Sequence, residues 1–421
     1  MNIKYYILAG VTLLVLSVFL LERSEKTVES KPAPLPAVAK TKTPVYVNPK
    51  FQHLLDDYEK EIEDLMRISG IPGAAIAIVK DSNIVFLKGF GVKIASGKDS
   101  VNENTVFRLA SVSKCFSSFL TGMLVADDTL NWDDPVIKYV PSFALKTKEQ
   151  TEQLTLRHVL SHTTGLPYHT YTTLVEDGTE LSVMLAKLKD VDLSNKVGVE
   201  YSYQNVVYSV IGEVIHAATG KSFEEEMKER VFGPLNMTDA SLDYNTITQN
   251  VNRAWPHRIR YGKWRPTSIT NTYYNVAPAG GINASISDMA NWMMALLGNR
   301  PDVIHPETLE QVFTPEVKAP SKNRNYGRTQ RLSSSYYGLG WRILYYPNDT
   351  LVYHGGYVNG FRSEVAINTK ERIAVCLLAN APGMVADKGI PIFFNLFRAQ
   401  YDSIQAYDNR QRILLARTPA P

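Results

Sequence analysis

The chain has 421 residues, 44% hydrophobic and 21% charged, with a formal net charge of +3. That is ordinary globular composition, long enough for a large core in one or two closely packed domains. The 45 basic residues are balanced by 42 acidic ones and form no dense block, which excludes nucleic acid as a partner. Cys115 and Cys376 both lie in apolar runs and read as buried free thiols. They could pair only if the helix and strand carrying them touch, and they have no metal-ligand spacing.

After Lys4 come seventeen uncharged residues, Tyr5 to Leu21, closed by Glu22-Arg23. The run is short for a membrane span and slightly long for a signal core, and no small-x-small cleavage site follows closely. Residues 1–21 therefore read as a signal anchor in preference to a cleaved signal peptide. This would leave the rest of the chain membrane-anchored or exported, outside the cytoplasm. With no cysteine here, a lipoprotein anchor is excluded. Residues 22–50 carry Pro32, Pro34, Pro36, Pro44 and Pro49, the composition of a stiff linker that holds a domain off a membrane.

Phe51 to Met66 has the spacing of an amphipathic helix, stopped at Gly70. Ala74 to Val79 and Ile84 to Leu87 flank a tight turn, and a short third strand is expected near Gly91-Val92. The stretch from Phe107 turns from an extended approach into a helix with Phe116, Phe119, Leu120, Met123 and Leu124 at helical spacing. Helices follow at Leu156 to Leu160, Val206 to Ala218, Phe223 to Phe232, and Ser287 to Leu297 with Ser287 as N-cap. Strands return at Tyr337 to Leu344, Leu351 to His354, Phe361 to Asn368 and Arg372 to Ala379. An apolar helix from Ile390 to Tyr401 closes the chain, with 406–421 as a tail. The order predicts an α+β fold. Its antiparallel sheet draws strands from both ends of the chain and is flanked by helices, with a mostly helical region inserted between.

Ser111 and Lys114 sit three apart at the start of the Phe107 helix, so their side chains share a face. A first-turn serine also has its own N–H without an intrahelical acceptor. A hydroxyl, an amine that can take its proton and a free N–H for an oxyanion are the parts of an acyl-transfer nucleophile. Ser-x-x-Lys occurs once, so its force depends on partners downstream. Tyr203-x-Asn205 follows just before a helix, and His354-Gly355-Gly356 ends one strand shortly before another. Acyl transfer could use a phenol to share the serine proton, a carboxamide to hold the substrate amide, and a donor on an edge strand to bind a carboxylate. Tyr-x-Asn alone says little, since it occurs six times; Tyr203 is singled out by its context.

In this order the motifs resemble the serine β-lactamase and penicillin-binding-protein superfamily, in particular the branch of class C β-lactamases, DD-peptidases and related esterases. The likeness runs from about Phe51 to Tyr401, most of a domain at 51–405. It takes in Leu154 through Leu166, Tyr203 through Ser222, Pro234 to Met237, and Ala279 to Ile282 with Ser287-Asp-Met. The resemblance implies a β-lactamase/transpeptidase-like fold, with Ser111 as nucleophile, Lys114 and Tyr203 sharing its proton, and Asn205, His354 and Gly356 in substrate binding. It puts the oxyanion hole at the N–H groups of Ser111 and Tyr357. It implies a small-molecule or peptide substrate (a D-amino-acid peptide, an ester or a β-lactam) and no cofactor or metal. Whether Lys114 or Tyr203 is the base stays open.

Two departures matter. His354 stands where class C β-lactamases have lysine. A histidine is only partly charged near neutrality, so it anchors a carboxylate more weakly and favours a peptidase or esterase. Gln204 replaces the usual serine, and its side chain is expected to point away. A true class C-type β-lactamase and a penicillin-binding sensor or scaffold with little turnover are the competing readings. His158 and His162, four apart, read as structural rather than as a metal pair, His162 as a turn residue. Gly220-Lys221-Ser222 reads as a helix stop, and Arg108 as structural support beside Ser111. Substrate choice would lie in loops such as Tyr168 to Asp190 and Ala254 to Asn275. No pattern in the chain speaks to oligomeric state.

Overall fold

Asn48 starts the first helix, α1 (Pro49–Ser69), slightly earlier than its apolar spacing indicates. Its Oδ1 accepts from the N–H groups of Lys50 (2.8 Å) and Phe51 (3.4 Å), and Pro49 takes the first position, where no N–H is needed. The computed structural model describes residues 48–319 and 331–417. The Tyr5–Leu21 run, the linker up to Val47 and the last four residues lie outside the described residues. Among the described residues, no helix is long and apolar enough to cross a membrane.

The hairpin of β1 (Gly73–Lys80) and β2 (Asn83–Gly91) forms as expected. The third strand expected at Gly91-Val92 does not form. Gly91 belongs to β2, and Val92 makes one bridge, to Ser100. After β3 (Phe107–Arg108) and a 3-10 turn at Ala110–Val112 comes helix α2 (Ser113–Ala126), nearly every residue of which is buried.

The middle of the chain is a run of short helices around α3 (Val210–Thr219). Phe223 to Phe232 is helical, but from Met227 it widens into a π-helix. A small hairpin, β4 (His257–Arg260) and β5 (Lys263–Pro266), stands where a loop was expected. After β6 (Asn283–Ala284), which pairs with β3, helix α4 (Ile286–Leu296) is capped by Ser285 and not Ser287. Ser285 Oγ accepts from the N–H of Asp288 (3.2 Å), and Asp288 Oδ2 accepts from the N–H of Ser285 (2.9 Å). This reciprocal box outcompetes the single cap, and Ser287 Oγ donates instead to Glu103 O.

The C-terminal strands are β7 (Val317–Lys318), β8 (Ser334–Tyr337), β9 (Arg342–Tyr346), β10 (Asp349–Val358), β11 (Phe361–Asn368) and β12 (Ile373–Ala379). The single strand expected from Tyr337 to Leu344 is two. Gly340 takes a left-handed φ of 79°, and a turn over 338–341 folds β8 back on β9. The sheet runs β2-β1-β12-β11-β10-β9-β8-β7 and is antiparallel throughout, so its strands do come from both ends of the chain.

Alternation along β1 divides the core. Ala75, Ala77 and Val79 join α2 and α4 on one face, while Ala74, Ile76 and Ile78 join α1 on the other. That second face is completed by α5 (Met384–Arg417), which is much longer than the expected Ile390 to Tyr401. Its extension takes in most of the supposed tail because Ile404 is buried there. Asn48 Nδ2 also ties it to α1, donating to Ile404 O (3.0 Å) and Asp408 Oδ1 (2.9 Å). Cys115 and Cys376 are both buried and free.

Candidate active site

Ser111 lies in the 3-10 turn that carries β3 into α2, directly after Ala110, whose φ is +47°. A left-handed residue with a Cβ costs on the order of 1–3 kcal/mol, so the surroundings must hold it. They do so through Leu109. Its N–H donates to Ile282 O (2.8 Å), and its carbonyl accepts from Ser363 Oγ on β11. Between them passes Gly356 of β10. A Cβ there would lie 2.3 Å from Leu109 O and 3.0 Å from the Ser111 nitrogen, so only glycine lets the strand run this close.

Lys114, one turn on, is fully buried. Desolvation holds its amine well below the ordinary lysine pKa, which favours the neutral form. A neutral amine has two N–H groups and one lone pair. Nζ donates to Asn205 Oδ1 (2.7 Å) and Ala279 O (2.9 Å), which leaves the lone pair for a third partner. The side chain whose hydrogen bond reaches Ser111 is Tyr203, whose Oη donates to Ser111 Oγ at 2.8 Å. Burial raises the Tyr203 pKa, so the phenol keeps its proton in this state. Lys114 Nζ lies 4.6 Å from the centre of the Tyr203 ring and 5.3 Å from that of Tyr208. Ser111, Lys114, Tyr203 and Asn205 therefore converge, but Asn205 spends its carbonyl on Lys114.

His354 departs from expectation in place and in charge. It lies inside β10 rather than at a strand end, and it is 2% exposed. Its Nδ1 lies 3.0 Å from Gly355 O, and its Nε2 lies 3.0 Å from Tyr337 Oη. Since a carbonyl only accepts, Nδ1 carries the proton and Nε2 accepts from the tyrosine. Burial, and then the charges of Arg342 and Lys114, push its pKa well below the histidine range. A neutral ring with both nitrogens engaged is not a carboxylate anchor; the fixed charge beside it belongs to Arg342. That guanidinium donates to Tyr201 Oη (2.9 Å) and lies 5.7 Å from the centre of the Tyr337 ring.

Pairing of β10 with β9 ends at Tyr353, opposite Arg342, so among the described residues the strand from His354 to Val358 has no ladder on that side. Tyr357, whose N–H was expected in the oxyanion hole, lies in this open stretch next to Gly356, with its side chain 54% exposed.

Sequence reasoning missed His162. It is more than a turn residue. Its φ of +59° turns its carbonyl and its ring onto one segment of chain. The carbonyl accepts from the N–H of Ser202 (2.8 Å), and Nδ1 accepts from the N–H of Gln204 (3.2 Å). The ring packs on Tyr203 with centres 4.4 Å apart, so it braces the tyrosine from behind. Only its position in the Ser161-His-Thr-Thr-Gly165 turn could have signalled this. Gln204 does point away, its amide donating to the carbonyls of Leu166 and Pro167. His158 is occupied separately, in a capping box with Thr155. Gly220 ends α3 with φ +76°. Arg108 is buried and donates to Thr270 O (3.0 Å) and Thr272 O (2.7 Å), the supporting part expected of it.

A sheet gathered from both chain ends, with a Ser-x-x-Lys helix and a Tyr-x-Asn turn meeting at one strand, defines a class, and comparison with known proteins agrees. The chain belongs to the Beta-lactamase family, whose profile matches residues 58–392. It is thus a member of the β-lactamase and transpeptidase superfamily of hydrolases. Protein flp of Staphylococcus aureus is 26% identical over 337 residues, covering 78% of this chain and 64% of that protein. Unguisins hydrolase ungD' of Aspergillus campestris is 24% identical over 357 residues, covering 82% and 65%. The chain thus spans just under two thirds of the length of these relatives. The fold is similar to that of the octameric penicillin-binding protein homologue from Pyrococcus abyssi, with a TM-score of 0.70 at 24% identity over 82% of this chain and 77% of that one.

Proposed function

We propose that the protein is a serine hydrolase that cleaves amide or ester bonds through an acyl-Ser111 intermediate, in the manner of a DD-peptidase or esterase. The observation that carries this reading is the 2.8 Å hydrogen bond from Tyr203 to Ser111 beside a fully buried lysine whose pKa is depressed.

Ser111 Oγ attacks the substrate carbonyl, and its proton passes to the Lys114–Tyr203 pair. Tyr203 holds its own proton tightly, and the neutral form of Lys114 has an unused lone pair. This favours the lysine as the resting base and the phenol as the relay. The N–H groups of Ser111 and Tyr357 hold the oxyanion. The pair then returns the proton to the leaving group, and water activated near Tyr203 releases the acyl group. The depressed lysine pKa suits that return, because the amine binds the proton only weakly.

A neutral His354 gives no charge to a substrate carboxylate, so that part falls to Arg342. It also leans away from efficient β-lactam hydrolysis. The decisive experiment incubates the full chain with a fluorescent penicillin and follows labelling and decay, with Ser111→Ala as control. Slow or lasting labelling supports the peptidase-like reading, and fast labelling with fast decay supports a β-lactamase. Stoichiometric labelling with no hydrolysis of any ester or D-amino-acid peptide supports a sensor. Full activity in the Ser111→Ala protein would sink the acyl-serine mechanism. The Tyr5–Leu21 run motivates a membrane-anchored or exported location, with the catalytic domain outside the cytoplasm. Protease added to intact cells should then degrade the domain.

A further inference from the structure

The β4–β5 hairpin takes no part in the chemistry above, yet it holds charge that the fold does not compensate. Arg258 pairs with Arg265 and Arg260 with Lys263. Cross-strand partners share a face and faces alternate along a strand, so all four cations lie on one face, like opposite like. All four are exposed, and none has an ion-pair partner among the described residues. The sequence holds no aspartate or glutamate between Asp243 and Asp288. Like charges placed directly opposite weaken a hairpin, and no contact within the domain offsets this.

The opposite face anchors the hairpin. Trp264 Nε1 donates to Ser69 O at the end of α1 (3.1 Å). His257 accepts from the N–H of Ala95 through Nε2 (2.9 Å), and its Nδ1 lies 3.0 Å from Asn380 O. At the free end, the turn residue Tyr261 is fully exposed, whereas Ile259 pairs with Trp264 and so lies on the anchoring face. The root of the hairpin packs on the turn after β10. A Cβ on Gly360 would lie 2.8 Å from His257 O, and Asn359 Oδ1 accepts from the N–H of Thr270 (3.2 Å).

We propose that this hairpin docks the folded domain on an anionic phospholipid surface. The four cations meet lipid phosphates, and the Tyr261 ring at the turn enters the headgroup region, where an aromatic ring gains. A hydrophilic polyanion such as an acidic polysaccharide would use the cations but leave the Tyr261 ring in water. Docking there brings the strand that carries Gly356 and Tyr357 close to the bilayer.

The test uses the full chain with Tyr261→Cys. Both native thiols are buried, so a polarity-sensitive fluorophore labels the hairpin tip alone. Vesicles of neutral phosphatidylcholine and vesicles with about 30% phosphatidylglycerol are compared, since anionic lipid supplies the attraction. Because the same chain meets both, any pull from its N-terminal apolar run is common to the two. The expected result is a blue shift on anionic vesicles only, reversed near ~0.5 M salt, where screening is short-ranged. Each cation changed to glutamine should weaken the response about fivefold, and R258Q/R260Q/K263Q/R265Q should abolish it. No shift on anionic vesicles, or an equal shift on neutral ones, overturns the proposal. So does a response to heparin or single-stranded DNA without a response to lipid.

Discussion

The two faces of the sheet are built on different terms. Behind it, Tyr58, Phe393 and Phe397 mesh between α1 and α5, with Tyr58 and Phe393 ring centres 5.4 Å apart. In front, among side chains as deeply buried, sit Lys114, Asn205, His162 and His354. The first face gains free energy from the apolar groups it removes from water, at the cost of a Tyr58 hydroxyl buried without a hydrogen-bond partner among the described residues. The second holds groups that water would stabilise, and it keeps them by suppressing their charge. One face maintains the fold while the other stores reactivity, and substitutions should separate the two.

The largest effect is expected at the front. Ser111→Ala should lower kcat at least about a thousandfold while the melting temperature stays put, measured on whichever substrate the penicillin assay reveals. Tyr203→Phe removes the relay hydroxyl and should cost on the order of 10²–10⁴ in kcat. At the back, Phe393→Ala should cost about 3–5 kcal/mol in denaturant unfolding and leave kcat nearly unchanged. A matching loss of activity in that variant would break the division.

Lys114→Met sharpens it most. The folded pKa of Lys114 is depressed, so the unfolded chain binds an extra proton at every pH between the folded value and about 10.4. Stability therefore rises with pH through this window, and at neutral pH the lysine weakens the fold. The methionine variant should be inactive yet melt higher than the parent at pH 7, with the gap closing toward pH 10. An unchanged or lower melting temperature at pH 7 would show that the bonds to Asn205 and Ala279 outweigh desolvation. The smallest effect is expected of Asn48→Ala, about 1 kcal/mol from the lost helix cap, with activity intact.

The sequence carried the back face well, because apolar spacing reports directly on which side of an element is buried. It placed α1 within a few residues and paired the N-terminal hairpin correctly. It failed where a polar side chain decides a boundary, as with Ser285 at α4, or where a distant contact does, as with Ile404 and Asn48 in extending α5. At the site, Ser111, Lys114 and Tyr203 were legible as motifs, and the structure brings them together. The state of His354 was not, since its neutrality comes first from burial and then from the charge of Arg342, neither of which its neighbours in the chain announce. The bracing by His162 was hidden for the same reason. It acts on a segment forty residues away, and no local period records that.

The strand partnership that closes the sheet also sets a timetable for synthesis. Ala74 on β1 lies opposite Ala379 on β12, 305 residues later. At about 5–20 residues per second, a ribosome needs roughly 15–60 s to supply that partner. Throughout that interval one edge of the first hairpin waits unpaired, and such long-range closure is slow in itself. The domain cannot mature piecemeal from its N-terminus. A chain whose sheet closes only with its last strand keeps that edge open almost to the end of its synthesis.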